Sequence, residues 1–97
     1  MTIPAEQAET VAVRVRYFAG ARAAAGVAEE TVRVAPGPGC PATAADVIQA
    51  VLERHGEALA KVVAACSFLL DGVAVRDRGV AVPDGSALDV LPPFAGG

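Results

Sequence analysis

From Val11 to Phe18 the side chains alternate, with Val11, Val13, Val15 and Tyr17 on one parity and Ala12, Arg14, Arg16 and Phe18 on the other. A period of two places successive side chains on opposite faces of an extended chain, so this stretch reads as a half-buried strand rather than a helix. One face belongs to a core and the other carries arginines. The rest of the chain therefore has to supply this strand with neighbours. Ala19 to Gly26 is alanine-rich and ends on glycine, which suits a short helix or turn, and a second strand is predicted across Thr31, Val32, Arg33 and Val34. Strand, tight connection and strand make an antiparallel hairpin.

Pro36-Gly37-Pro38-Gly39-Cys40-Pro41 then breaks regular structure. Thr43 is followed three residues later by Asp46, a start resembling a capping box, with the carboxylate also complementing the helix dipole. Val47, Ile48, Val51 and Leu52 form one apolar stripe, and Gly56 suits the position just past the helix end. Glu57 to Val63 suggests a second helical turn. Ser67 to Val75 is two short apolar runs around Asp71-Gly72, a strong hairpin signal. Pro83-Asp84-Gly85-Ser86 marks another turn before a last strand over Ala87 to Leu91. The fold class expected is α+β, with one main helix over a mixed sheet of four or five strands. If the first and last strands are parallel neighbours at the buried centre, this is the β-grasp, or ubiquitin-like, roll.

A chain of 97 residues supports one domain. The expected division is a disordered lead over residues 1–10, the domain over 11–93 and a flexible tail over 94–97. Net charge is −3 and the basic residues are scattered singly, which argues against a nucleic-acid partner. Cys40 and Cys66 are isolated and the single His55 completes no ligand set, so no metal site is expected. His55 suits a helix C-terminus, where it complements the dipole. The N-terminus lacks the pattern of a secretory signal, and no apolar run reaches the length of a membrane span. No membrane partner and a cytoplasmic location are the expectations.

The chain ends Leu91-Pro92-Pro93-Phe94-Ala95-Gly96-Gly97. Consecutive prolines remove two backbone donors and keep the preceding residue extended, so the tail projects from the domain. Gly96 and Gly97 lack a Cβ, can pass a channel too narrow for side chains, and present an unhindered α-carboxylate. A carboxylate becomes an electrophile once activated, most simply as an acyl-adenylate.

Two segments carry a resemblance. Val15 to Gly26, with Tyr17-Phe18-Ala19 and Arg22, resembles the opening strand and short helix of the small subunit of molybdopterin synthase, and Leu91 to Gly97 resembles the C-terminal tail of that family. Pro83 to Ser86 resembles the turn before its final strand. The wider group is the ubiquitin-like sulfur carriers. The resemblance implies adenylation of Gly97 by a ubiquitin-E1-like adenylating enzyme using ATP and Mg²⁺, with no cofactor bound by this chain. It further implies conversion to a thiocarboxylate by a sulfur donor, and docking on the large subunit of molybdopterin synthase. There the sulfur goes to a cyclic pterin monophosphate precursor. On this reading the chain is a sulfur-donating, non-catalytic subunit, with Gly97 and Gly96 as its reactive end.

The resemblance also implies Phe18, Arg22 and Leu91 as partner contacts, and Phe94, near the tail, is expected to join them in an exposed apolar docking patch. A plainer reading puts Phe18 and Leu91 in the core and Arg22 in solvent. Alternative functions are a sulfur carrier for thiamin thiazole or cysteine synthesis, a ubiquitin-like protein modifier, or a ubiquitin-like binding module. The long Pro36–Pro41 connection and the two cysteines match no motif of the family.

Overall fold

The computed structural model describes residues 10–37 and 39–93. Its element order is β1 (Val11–Tyr17), α1 (Ala19–Ala25), β2 (Glu29–Val34), α2 (Ala44–His55), α3 (Glu57–Val63), β3 (Ser67–Leu70), β4 (Val73–Ala74) and β5 (Ala87–Leu91). The five strands lie in the order β2-β1-β5-β3-β4. β1 and β5 are parallel at the centre, with Arg16 level with Asp89 and Tyr17 with Val90, while the β1–β2, β3–β5 and β3–β4 pairs are antiparallel. This is the β-grasp topology, and the first and last strands are the central neighbours.

The alternation in β1 is the one its residues dictate. Val13, Val15 and Tyr17 are buried, whereas Arg14, Arg16 and Phe18 are exposed. They meet Val32 and Val34 of β2, Leu88 and Val90 of β5, Phe68 of β3, and the stripe Ala44, Val47, Ile48 and Val51 of α2 in one core. The α2 start is the expected capping box: Asp46 N–H donates to Thr43 Oγ1 at 3.2 Å and Thr43 N–H donates to Asp46 Oδ2 at 3.0 Å. Two further N–H groups of its first turn, from Ala44 and Ala45, are taken by the carbonyls of Val80 and Arg78. The long segment after β4 is thereby tied across the helix start.

The Asp71-Gly72 turn joins β3 to β4 with φ of 50° and 85° at its two central residues. Positive φ at both positions is the type I′ requirement, which asparagine, aspartate and glycine meet at least cost. Asp71 does a second job, accepting the Ala87 N–H on Oδ1 at 2.8 Å and so fixing the entry of β5.

Two elements differ from the sequence expectation. Glu57–Val63 is a complete short helix, α3, with Leu59 and Val63 buried, rather than a lone turn. Its apolar pair covers the end of the core that α2 leaves open, with α1 on its other side. β2 begins at Glu29, two residues before the expected Thr31.

That earlier start matters because Glu30 shares parity with Val32 and Val34 and so lies on the core side. Its carboxylate is received there by donors from two other elements. Tyr17 O–H and His55 Nε2–H each donate to Glu30 Oε2 at 2.5 Å, and Arg54 Nη1 donates to Oε1 at 3.3 Å. The Tyr17 and His55 rings meet edge to face, 5.7 Å between centroids. Partial burial pushes the Glu30 pKa up, but the hydrogen bonds from Tyr17 and His55 and the charges of His55 and Arg54 outweigh it, leaving the group below its ordinary 4.5. Burial first, then the bond to Glu30, holds the Tyr17 hydroxyl well above the usual phenol range. His55 therefore acts at its helix end as a hydrogen-bond donor to a neighbouring strand as well as a dipole partner.

Because the Glu30 pKa is lowered by folding, its stabilising contribution is complete above about pH 4.5 and is lost as pH falls through the folded value. Glu30→Gln is expected to unfold at lower denaturant than the native chain at pH 7. The gap should narrow steadily below about pH 4.5. Urea titrations at a series of pH values check this, and a gap that widens on acidification would contradict it.

Candidate functional site

The C-terminal end of β5 sits in a corner built by three other segments. Leu91 is level with Ser67 of β3, and Phe18 N–H donates to the Val90 carbonyl at 3.2 Å, extending the β1–β5 pairing one residue past the strand. Phe18 follows Tyr17, the register partner of Val90, and so lies level with Leu91. Both have the parity of the sheet face that no described helix covers. Phe18 is 37% exposed and Leu91 is half-buried, so neither is a fully buried core residue.

The same face continues inward through Leu69, half-buried, to a charged centre. Asp89 is 6% exposed in the middle of β5. Arg16, its neighbour across the parallel pair, grips it with a fork: Nε to Oδ1 at 2.6 Å and Nη2 to Oδ2 at 2.9 Å. Bidentate geometry matches the planar guanidinium to the carboxylate and compensates the burial of the acid. Arg14 lies further along the strand, exposed. The open face is thus apolar beside the β5 exit and charged toward the far end.

A single residue, Phe18, joins β1 to α1, and the corner is strained. Phe18 is extended, at φ −122° and ψ 150°, and serves as the helix N-cap. Ala19 immediately takes φ 50°, a left-handed value that is costly for any residue with a Cβ. The helix then ends at Gly26, φ 82°, whose N–H bonds to the Arg22 carbonyl at 2.9 Å.

Of the residues expected to contact a partner, the structure brings Phe18 and Leu91 to one corner. Arg22 is exposed one turn along α1 and lines a separate shallow depression of about 370 Å³ with Ala19, Ala23, Gly26, Val27 and Ala28. Phe94, Gly96 and Gly97 lie outside the described residues. Leu69 and Asp89 belong to the same face and were not singled out from sequence. Asp89 carried a signal, a lone acid in an apolar strand at a spacing that aligns with Arg16.

Cys66 Sγ donates to the Val62 carbonyl at 3.2 Å, and burial pushes its thiol pKa up; Cys40 is exposed in the glycine-proline connection. Among the described residues no group of three or more His, Cys, Asp or Glu is placed to hold a metal ion, and no helix is long and apolar enough to cross a membrane.

Comparison with known proteins gives a family match over residues 15–97, which includes β1 from its midpoint, the open-face corner and the whole tail. The chain belongs to the ThiS family. It is 34% identical over 86 residues to a molybdopterin synthase sulfur carrier subunit from Chlamydomonas reinhardtii, covering 88% of this chain and 98% of that protein. Among solved structures, a Pyrococcus furiosus protein assigned as molybdopterin-converting factor subunit 1 superposes with a TM-score of 0.70 at 31% identity, covering 86% of this chain and 98% of that one. The small archaeal modifier protein SAMP1 from Haloferax volcanii gives a TM-score of 0.69 at 29% identity, covering 89% and 99%.

The strain at Ala19 has a direct consequence. Glycine there removes the Cβ clash, worth ~1–2 kcal/mol, against ~0.5–1 kcal/mol of added chain entropy. Ala19→Gly is expected to raise stability slightly, by about 0.5 kcal/mol, in chemical denaturation. A loss of more than ~1 kcal/mol would show that the alanine methyl is needed for packing at the corner.

Proposed function

We propose that this chain is a sulfur carrier whose Gly97 α-carboxylate is activated and converted to a thiocarboxylate, acting as the small subunit of molybdopterin synthase. The observation that supports this most is the family match through the last residue together with 34% identity, over 88% of the chain, to a sulfur carrier subunit of that synthase. The fold is suited to the role, because β5 runs straight out of the sheet centre toward a tail that begins with Pro92-Pro93 and ends in two glycines.

The chemistry divides between this chain and its partners. A carboxylate oxygen of Gly97 attacks the α-phosphorus of ATP on a ubiquitin-E1-like adenylating enzyme, and pyrophosphate leaves. The acyl carbon of the mixed anhydride is then open to a sulfur nucleophile. A persulfide on the sulfur donor attacks, a C–S bond forms and AMP leaves as the C–O bond breaks. A second thiol of the donor then attacks the S–S bond, closing a disulfide on the donor and releasing the thiocarboxylate. The large synthase subunit receives the tail, sulfur passes to the cyclic pterin monophosphate precursor, and water returns Gly97 to a carboxylate. Activation and transfer use the partners' metal ions and acid–base groups. This chain supplies the reacting atom, its reach and its docking surface. Residues 94–97 extended span ~13 Å, enough to carry the terminus from a docked domain into an enclosed site. Phe18, Leu91 and Phe94 would form the apolar centre of the docking surface, with Arg22 at its rim. The proposed place of action is the cytoplasm.

A second reading, a ubiquitin-like modifier joined through Gly97 to a partner lysine, is favoured by the likeness to SAMP1. Both readings use the same activated carboxylate, and intact mass separates them. A carrier gains one sulfur in place of oxygen, whereas a modifier gives conjugates larger by a whole protein.

Deletion of Gly97, or Gly96→Ala, is expected to change stability by less than ~0.5 kcal/mol and to abolish ATP-dependent thiocarboxylate formation with the cognate activating enzyme. Normal sulfur acceptance by the deletion would refute the carrier reading. For docking, Phe18→Ala and Phe94→Ala are each expected to weaken binding to the large subunit by ~1–3 kcal/mol, read by calorimetry, while the melting transition survives.

A further inference from the structure

At the end of the sheet opposite the β5 exit lies an apolar groove of about 560 Å³, bordered by Leu70, Val73, Val75, Val80, Ala81 and Pro83. Val73 is 68% exposed, the largest exposure among the large apolar side chains described, and Val80 is 40% exposed. One wall is β4, the two-residue edge strand, which pairs only with β3. Such an edge beside an apolar trough is a ready template for an extended segment. Three charged residues also line it. Asp71 and Asp77 are engaged in their own turns, accepting the Ala87 N–H at 2.8 Å and the Gly79 N–H at 2.9 Å. Arg76 has no carboxylate partner among the described residues. The groove therefore asks for an extended occupant with one or two apolar side chains and an acid.

We propose that the occupant is this chain's own N-terminal segment, Met1 to Glu9, laid across the groove with Ile3 against Val73 and Val80 and with Glu6 or Glu9 facing Arg76. The chain enters β1 at the rim of the groove. Ala12 N–H donates to Asp84 Oδ1 at 2.7 Å, and Gly85 N–H donates to the Ala12 carbonyl at 2.7 Å, with Pro83 of the groove wall next in sequence. β4 lies three strand spacings from β1, ~14 Å, and nine extended residues reach ~30 Å, so the segment has length to cross the sheet end and fill the trough. Its composition is complementary: Met1, Ile3 and Pro4 are apolar, Glu6 and Glu9 are acidic, and it contains no lysine or arginine. The C-terminal tail cannot compete for the site, because β5 runs parallel to β1 and leaves the sheet at the other end. Docking there covers the exposed valines and the β4 edge while the open-face corner remains free.

The test compares methyl and amide NMR spectra of the full chain with those of a variant lacking residues 2–9 and of Ile3→Asp, which keeps the length. The proposal expects nuclear Overhauser contacts from the Ile3 methyls to Val73 and Val80 in dilute full-length protein. It also expects both variants to shift the Val73, Val75 and Val80 methyls, and Arg76→Glu to reduce the Ile3 contacts at least several-fold. Shifts confined to residues 10–14 and 83–85 in both variants would overturn it. Groove contacts that prove intermolecular in a mixed-isotope sample, or that persist with residues 2–9 deleted and grow with concentration, would overturn it in favour of a second copy as the occupant.

Discussion

The parallel pairing of β1 with β5 is the constraint on which the rest of the molecule depends. It joins residues more than seventy apart, as the 73-residue separation of Arg16 and Asp89 shows, so it is the contact with the greatest loop-closure cost. Local pieces reduce what remains to be ordered. The Asp71-Gly72 hairpin brings β4 onto β3, and the α1 corner returns the chain to β2 beside β1. With β1 and β5 central, Val13, Val15, Leu88 and Val90 become the middle of the core, each 1% exposed or less. The same pairing makes both strands point the same way. The N-terminal segment and the C-terminal tail are consequently delivered to opposite ends of the sheet.

Two carboxylates are carried close to that centre, on opposite faces, and each is handled by the same rule. Glu30, on the helix side, gathers Tyr17, Arg54 and His55, which ties β1, β2 and the end of α2 together. Asp89, on the open side, takes the fork of Arg16 and ties β5 to β1. An acid buried without donors would cost several kcal/mol, so each must be paired to be tolerated, and pairing fixes a geometry that an apolar pair would leave loose. Among the described residues no buried side-chain nitrogen or oxygen lacks a partner. These clusters set strand register as much as they add stability, since a one-residue slip of β5 would strand Asp89 away from Arg16.

Much of the fold was legible in the sequence where the signal is local. The alternation of β1, the Thr43–Asp46 cap, the stripe of α2 and the Asp-Gly turn each rest on residues within one or two turns of chain, and the structure has all of them. The parity of Phe18 placed it off the core face of β1, and the structure has it 37% exposed. What escaped depends on contacts between distant segments. Glu30 looked like a polar residue ahead of a strand because its donors lie on β1 and α2. α3 was too short for its own pattern to distinguish a turn from a helix, and it is held by burial of Leu59. The left-handed Ala19 has no sequence signature at all, because alanine is a poor choice there and only the abrupt strand-to-helix corner demands it. Of the proposed contacts, Phe18 and Leu91 became a shared surface only once β1 and β5 were known to be parallel.

A carrier that visits several partners needs a surface they can all use and a reacting group that the domain itself leaves alone. Both follow from where the strands end. The described helices occupy one face of the sheet and none of them covers the other, whose apolar portion lies where β5 hands the chain to Pro92 and Pro93. The proposed chemistry then needs no acid, base or metal from this chain, and the Cys66 thiol is bound to a carbonyl and held protonated by burial. Stability is concentrated in the β1–β5 centre and its two paired carboxylates, away from the terminus. On the proposed function, changes at the terminal glycines are expected to remove function and leave the domain folded, whereas changes at Val15 or Leu88 would remove the fold and function with it.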